Sequence, residues 1–298
     1  MKIIDKFFVK QWTIGIAKGN KEDILQNRLK SLDFSWITLS NPEVFVADPF
    51  VIELPSGEFH VIAELIYQSS YGKLACYRFS KTLELLEQKI IFDSGSHLSY
   101  PFILEDNGEI FIIPESAMAN GVFAYPYDPI HMSLGKPITL IEDEPLLDST
   151  FVYYEDRWWL FATKRGVSSN SALHIYHAEH WKGPYEPHKL NPVKTGADGS
   201  RPAGNILKQG NHLLRPAQNC KESYGKSITL FKITKLNKVS FEEVPTLEIK
   251  ADIHKKNKYG IHTINQTGSV IVVDCLKKSF NPFIQIKLLL KKLNKKRT

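Results

Sequence analysis

Short apolar runs, each opened by a polar residue, recur along the chain about every fifty residues. The matched starts are Asp48-Pro49-Phe50-Val51, Tyr100-Pro101-Phe102-Ile103, Asp148-Ser149-Thr150-Phe151, Arg201-Pro202-Ala203-Gly204 and, more faintly, Ile261-His262-Thr263-Ile264. They lie 52, 48, 53 and about 60 residues apart. Each of the first four leads through a turn into a second apolar run, and these end at Glu64, Glu115, Thr163 and Arg215. The turns carry Gly57, Asn107-Gly108, Glu155-Asp156 and Gly210, and Gly268 turns the fifth unit. Runs of this length, bounded by turn residues, read as strand pairs rather than helices. Strand pairs at this period predict an all-β fold, a five-bladed β-propeller, with a pair of β-sandwiches as the main competitor.

Residues outside the repeat complete the plan. Gln11-Trp12-Thr13-Ile14-Gly15-Ile16 alternates like a strand, and either closes the ring by joining the last blade or packs outside it. Glu22 to Leu32 has a short helix pattern in Ile24, Leu25, Leu29 and Leu32. Phe283 to Leu293 is helix-forming in composition. The expected organisation is one propeller domain over 1–276 and a basic amphipathic tail over 277–298 that forms a short C-terminal helix.

Charge sharpens that division. The formal net charge is +6, yet residues 277–298 hold eight Lys or Arg and no acid, leaving 30 basic against 32 acidic residues in the body. A body of that balance argues against nucleic acid as a partner. The tail reads as an anchor for an anionic membrane surface, or as a solvated helix on the propeller edge. Lysines at positions 2, 6 and 10 interrupt any signal-peptide run, and no stretch has the ~18 apolar residues of a membrane span. Three widely spaced cysteines suit reduced thiols. The expected location is cytoplasmic, peripheral at the inner face of the membrane.

A propeller brings equivalent positions of all blades around one axis, so the repeat also gathers the candidate chemistry. Asp48 and Asp148 match in blades one and three, and Glu64 and Glu115 form a second matched pair. Carboxyl groups crowded at one channel mouth acquire divergent pKa values and can divide into acid and base. Turn capping by the Asp pair and an inter-blade ion-pair network for the Glu pair are the structural alternatives. Arg201 and Arg215 offer partners to these acids or a bidentate grip on an anionic group. His97, Tyr100, Gln218 and His262 fall in the same inter-strand segments and complete the expected substrate-binding set. His174, His177 and His180 sit on a strand-like alternation that splits them, and neither a metal nor a cofactor is expected.

The strings Ala47-Asp48-Pro49-Phe50, Ser99-Tyr100-Pro101-Phe102, Ile113-Pro114-Glu115-Ser116, Ser200-Arg201-Pro202-Ala203-Gly204 and Arg215-Pro216-Ala217-Gln218 resemble the N-terminal domain of plant glucosamine inositolphosphorylceramide transferases and its bacterial counterparts. More distantly the chain resembles the five-bladed propeller glycosidases of the arabinanase, xylosidase and invertase clan. The resemblance spans roughly residues 10–275. It implies a carbohydrate-active propeller in glycan or glycolipid assembly, with Asp48 as base or nucleophile and Asp148 as the tuning acid; Glu115 replaces the clan's acid only if its side chain reaches the same mouth. It also marks a departure, because Ser200-Arg201-Pro202 stands where the clan places its acidic Glu. The transferase domain that follows the propeller in the plant proteins is not expected here.

The expected function is therefore a glycosidase-like or glycosyl-transfer enzyme acting on a glycan or glycolipid precursor of surface polysaccharide. The alternative is a non-catalytic glycan or nucleotide-sugar binding module that partners a glycosyltransferase. A scaffold using its rim for protein partners is a third reading.

Overall fold

The computed structural model describes residues 8–39, 41, 44–67 and 70–281, and within them the chain forms five antiparallel sheets. Blade one is Val44–Glu53, Phe59–Tyr67, Lys73–Phe79 and Leu85–Phe92, in that order from the axis outward. Blades two and three open with Ser99–Asp106 and Leu146–Tyr154 and end in fragmented outer edges. Blade four has an interrupted inner edge, Asp198–Pro202 and then Leu207–Gln209, both paired with His212–Asn219. Blade five joins both ends of the described chain. Its inner strands are Ile264–Thr267 and Val270–Phe280, and Phe8–Lys18 and Ser35–Trp36 lie outside them. The strand containing Trp12 thus closes the ring, paired with Val270–Phe280 over its whole length from Phe8↔Phe280 to Lys18↔Val270.

The inner strands are apolar on both faces because each face meets another blade. Val51, Val61, Ile14, Ile16, Val270 and Val272 pack blade five on blade one. Phe50, Phe102, Phe111, Phe151 and Trp181 fill the junction of blades one to three. Burying such a side chain contributes about 1.5–3 kcal/mol, so every blade is held mainly by its neighbours.

The repeat has a specific backbone cause. Asp48, Tyr100 and Asp148 all adopt positive φ, 51°, 41° and 52°. At each the inner strand shifts register against its neighbour, between Ala47/Phe50, Ser99/Phe102 and Leu147/Thr150. These are β-bulges, which bend a strand and re-aim a side chain. The first of them places Asp48 at one mouth of the channel. Blade four has its own irregularity between Asp198 and Pro202.

Two expectations need adjustment. The helix is only Lys21–Leu25, capped by Asn20 and Asp23, because Arg28 and Leu29 take positive φ and end it. Lys277 and Lys278 belong to the last strand, which runs on to Phe280. The tail helix at 283–293 and the basic residues from Lys287 onward lie outside the described residues. Among the described residues no helix is long and apolar enough to cross a membrane, and the three cysteines are free thiols.

Candidate functional site

The Asp48 bulge and segments of blades one, two, four and five converge on a pocket of about 220 Å³. Asp48, Glu64, His97, Glu115, Arg201 and His262 line it, together with Trp12, Ser99 and Tyr224. The return strands deliver the glutamates. Glu64 pairs with Ala47 and Glu115 with Ser99, each opposite the residue that precedes a bulge.

Asp48 is held from three directions. Thr263 Oγ1 donates to its Oδ1 at 2.7 Å, and His262 Nε2 lies 3.1 Å from the same oxygen. The Tyr100 N–H reaches Oδ2 at 3.4 Å, leaving that oxygen the less engaged. On its other side the His262 ring meets Asp274, with Nδ1 3.0 Å from Oδ2. Asp274 also accepts the backbone N–H groups of Asp48, His262 and Thr263. Burial alone would push His262 down, but the two flanking carboxylates hold it well above the ordinary histidine value, as an imidazolium. Burial likewise opposes ionisation of Asp48, and the His262 charge with the hydrogen bonds outweighs it, holding Asp48 below the usual carboxylate range. The donor atoms of Asp48, His262 and Asp274 lie within 4.8 Å of one another, a spacing compatible with a metal ion. The imidazolium already bridges the two carboxylates.

Asp148 is closed off. Arg201 grips it bidentately, Nε to Oδ2 at 2.5 Å and Nη2 to Oδ1 at 3.1 Å, and Gln218 Nε2 adds a bond of 3.0 Å to Oδ2. Arg201 in turn reaches Glu115, Nη2 to Oε2 at 3.5 Å, and lies over the Tyr224 ring. Asp148 therefore stands behind Arg201, outside the pocket lining, yet within direct electrostatic reach of Glu115.

The two glutamates are the pocket's least satisfied acids. Glu115 Oε2 is buried with no hydrogen-bond partner, and the side chain is 7% exposed. Burial first and then the Asp148 charge raise its pKa well above the ordinary value, against the pull of Arg201. Glu64 is raised as strongly by burial and then by Asp48 and Glu115. Its neighbour His97 accepts the Gly72 N–H at Nδ1 and turns Nε2 toward Glu64 at 3.5 Å. That bond fixes the tautomer with the proton on Nε2 when the ring is neutral, the state favoured by burial. The site thus sets two glutamates with raised pKa beside an aspartate whose pKa is lowered.

Three expected binding residues occupy other places. Arg215 is 1% exposed inside blade four, bonded to Glu243 and the Gly199 carbonyl, because the interrupted inner strand moves it below the mouth. Tyr100 is fully buried, its hydroxyl accepting the Gly204 N–H at 2.7 Å and meeting Thr150 at 2.8 Å. Gln218 braces Asp148 and the Pro202 carbonyl. Trp12, Thr263 and Asp274 were missed as site residues. Asp274 follows Ile271-Val272-Val273 as Glu64 follows Val61-Ile62-Ala63, so the same apolar-run-then-acid pattern points to it. Trp12 reaches the site through ring closure and meets His262 edge-on at 4.2 Å.

A larger cavity, about 620 Å³, lies at the opposite face beside Leu54, Pro55, His60, Arg78 and Met132. It contains none of the repeated acids, so the chemistry is assigned to the smaller pocket.

A family model described as glucosamine inositolphosphorylceramide transferase 1, N-terminal, matches residues 34–267. Glucosamine inositolphosphorylceramide transferase 1 of Oryza sativa subsp. japonica is 33% identical over 214 residues, which is 68% of this chain and 28% of that protein. Its Arabidopsis thaliana counterpart is 32% identical over 231 residues, 73% of this chain and 29% of the relative. The chain thus spans less than a third of the length of these curated relatives. Among solved structures, an exo-β-1,3-galactanase from Clostridium thermocellum superimposes with a TM-score of 0.59 at 12% identity, covering 78% of this chain and 59% of the other. A family 117 glycoside hydrolase from Zobellia galactanivorans gives 0.52 at 12% identity over 93% and 92%. These likenesses establish the propeller fold.

Proposed function

The chain belongs to the glucosamine inositolphosphorylceramide transferase 1 N-terminal family, and from that premise we propose that it is a carbohydrate-active propeller acting on a glycan or glycolipid precursor. One observation carries the reading. Glu115, buried and with its pKa raised well above the ordinary value, shares a small pocket with Asp48, whose pKa is lowered. Acid and base of that kind are what cleavage or transfer at a glycosidic bond requires. In this reading Glu115 gives its proton to the leaving oxygen as the sugar C–O bond breaks. Asp48 Oδ2 takes the proton of the incoming hydroxyl, from water or an acceptor sugar. Arg201 grips Asp148 beside Glu115, and the Asp148 charge raises the pKa of that acid. Trp12 and Tyr224 add aromatic surface to the pocket wall.

The test is turnover of a labelled glycan or glycolipid donor by Asp48→Asn and Glu115→Gln. Each substitution is expected to lower the rate by ~10²–10⁴-fold with folding intact. Unchanged turnover in both would end the catalytic assignment.

A second reading has its own support. Asp148 has both oxygens closed by Arg201 and Gln218, and both Asp48 oxygens meet protein donors, an arrangement suited to holding a ligand without reacting. A sugar-binding module would show saturable binding, weakened in Arg201→Ala, with no product at any enzyme concentration. The remaining chemistry would then come from a partner glycosyltransferase. We place the protein at the cytoplasmic face of a membrane, drawn there by the basic segment 277–298.

A further inference from the structure

Each blade presents an outer edge, and four of the five edges are protected against further pairing. Blades two and three end in short pieces, Ser133–Leu134 with Ile138–Glu142 and Glu186–Pro187 with Lys194–Thr195. Blade five ends in the two-residue strand Ser35–Trp36, after which the Ile37 N–H donates to the Ile14 carbonyl. The outer strand of blade four, Ser240–Lys250, is long but carries Pro245, Glu242, Glu243 and Glu248 and shifts register twice. Short pieces, proline, charge and bulges are the usual means of keeping a sheet edge from adding another strand. Leu85–Phe92 of blade one differs. It has eight residues and no proline, and Leu85, Leu86 and Ile90 are 46%, 47% and 44% exposed. Its inner side pairs with Lys73–Phe79, and among the described residues no strand pairs with its outer side.

The residues of this edge indicate what fits it. Leu85-Leu86-Glu87-Gln88-Lys89-Ile90-Ile91 complements itself when reversed, apolar against apolar and acid against base, about Gln88. An antiparallel partner of the same sequence, centred on Gln88, sets Glu87 opposite Lys89 and Leu86 opposite Ile90 on both sides of that centre. Sliding the pairing by two residues brings Glu87 onto Glu87 or Lys89 onto Lys89, which is unfavourable, so charge selects the register. The register shifts against Lys73–Phe79 fall toward the strand ends, and Glu87 to Ile90 is the regular stretch between them. Glu87 Oε2 lies 3.2 Å from Arg78 Nη2, and Lys89 Nζ donates to the His131 carbonyl at 2.7 Å. Two residues apart on one strand, the two charged side chains share a face of the blade.

We propose that Leu85–Phe92 is a self-association edge: two copies of the chain pair antiparallel through it about Gln88, joining two four-stranded sheets into one of eight. The contact is isologous, so pairing uses up both free edges and the assembly closes at two. It gives the outward backbone groups of the strand partners and covers Leu86 and Ile90 of each copy. One strand pair is a small interface, which makes the dimer concentration-dependent. Leu85–Phe92 is the strand of blade one farthest from the axis and none of its residues lines the candidate pocket, so the proposal is independent of the chemistry assigned there.

The test is sedimentation velocity of the full chain over a wide range of protein concentration. The unaltered protein is expected to pass from monomer to dimer. Glu87→Lys alone sets base against base across the pair and Lys89→Glu alone sets acid against acid, so each is expected to dimerise about tenfold more weakly. Mixed in equal amounts, the two variants restore opposite charges at both positions and should associate with each other as the unaltered chains do. Both side chains are exposed, so the melting temperature of each variant should stay close to that of the unaltered chain. A further variant, Leu86→Ser with Ile90→Ser, should lose the dimer while keeping the charges. A chain that is monomeric at every concentration overturns the proposal. So does a dimer that all of these variants leave intact, since its interface then lies elsewhere. Weakened single variants that fail to associate when mixed overturn the pairing about Gln88.

Discussion

Glu115 is pulled in two directions: the Asp148 charge presses a proton onto it and the Arg201 guanidinium draws it off. Burial decides for the proton, and Glu64 is held in the same state. Carboxyls raised in the folded state stabilise it fully below the unfolded value of about 4.3, and that contribution is lost as pH rises through the folded value. His262, also raised, loses its share in the same direction, from about 6.5 upward. Stability should therefore decline on the alkaline side, at about 1.4 kcal/mol for each unit by which a group is raised. Replacing Glu115 by Gln is expected to flatten the fall and raise the melting temperature at alkaline pH, measured by thermal denaturation across the pH range. An unaltered slope would mean that Glu115 is ionised in the fold. At this scale the sequence showed most of the site, because Asp48, Glu64, Glu115 and His262 are set by position within the repeat. It misplaced Arg215, because counting along blade four presumes an unbroken inner strand, and that strand is interrupted between Pro202 and Leu207.

Among the elements, the hairpins show how local chemistry and fold agree or conflict. Asn107-Gly108 takes φ of 51° and 81°, the left-handed pair that a tight hairpin needs, with residues suited to it. Glu155-Asp156 takes the same conformation at 49° and 55°, where Glu155 is poorly suited and Asp156 is less suited than glycine. A left-handed residue other than glycine costs roughly 1–2 kcal/mol, less for Asn or Asp. Installing the blade-two solution, Glu155→Asn with Asp156→Gly, is expected to stabilise the protein by about 1 kcal/mol, read from chemical denaturation. No gain would show that neighbours already offset the strain. The strands and turns were legible because alternation and turn residues are local signals. The bulges at Asp48, Tyr100 and Asp148 were legible only as recurring residue strings, since no residue type announces a register shift. The helix beginning at Lys21 came out shorter than its apolar spacing indicates, because backbone geometry at Arg28 and Leu29 overrode that spacing.

For the whole molecule, stability depends on the ring being closed. Ile14 and Ile16 lie on the closing strand and pack into the cluster shared by blades five and one. Ile14→Ala is expected to cost about 2–5 kcal/mol, whereas Leu85→Ala, on the exposed outer strand of blade one, should change stability by less than about 0.5 kcal/mol. Equal losses in urea denaturation would deny that closure has this weight. The ring itself was legible from the period, and the closing strand from the alternation around Trp12. That Trp12 would also line the site was not, since it follows from which blade the strand joins. The same closure governs when the protein can exist during its own synthesis. Phe8–Lys18 is made at the outset and its partner Val270–Phe280 some 250 residues later, a delay on the order of tens of seconds at ordinary translation rates. Throughout that interval the first strand has only the two-residue strand Ser35–Trp36 of its own sheet to pair with. The pocket wall that includes Trp12 and His262 is assembled only when the last blade emerges, so termination before Val270–Phe280 is made leaves a chain with neither a closed fold nor a complete site.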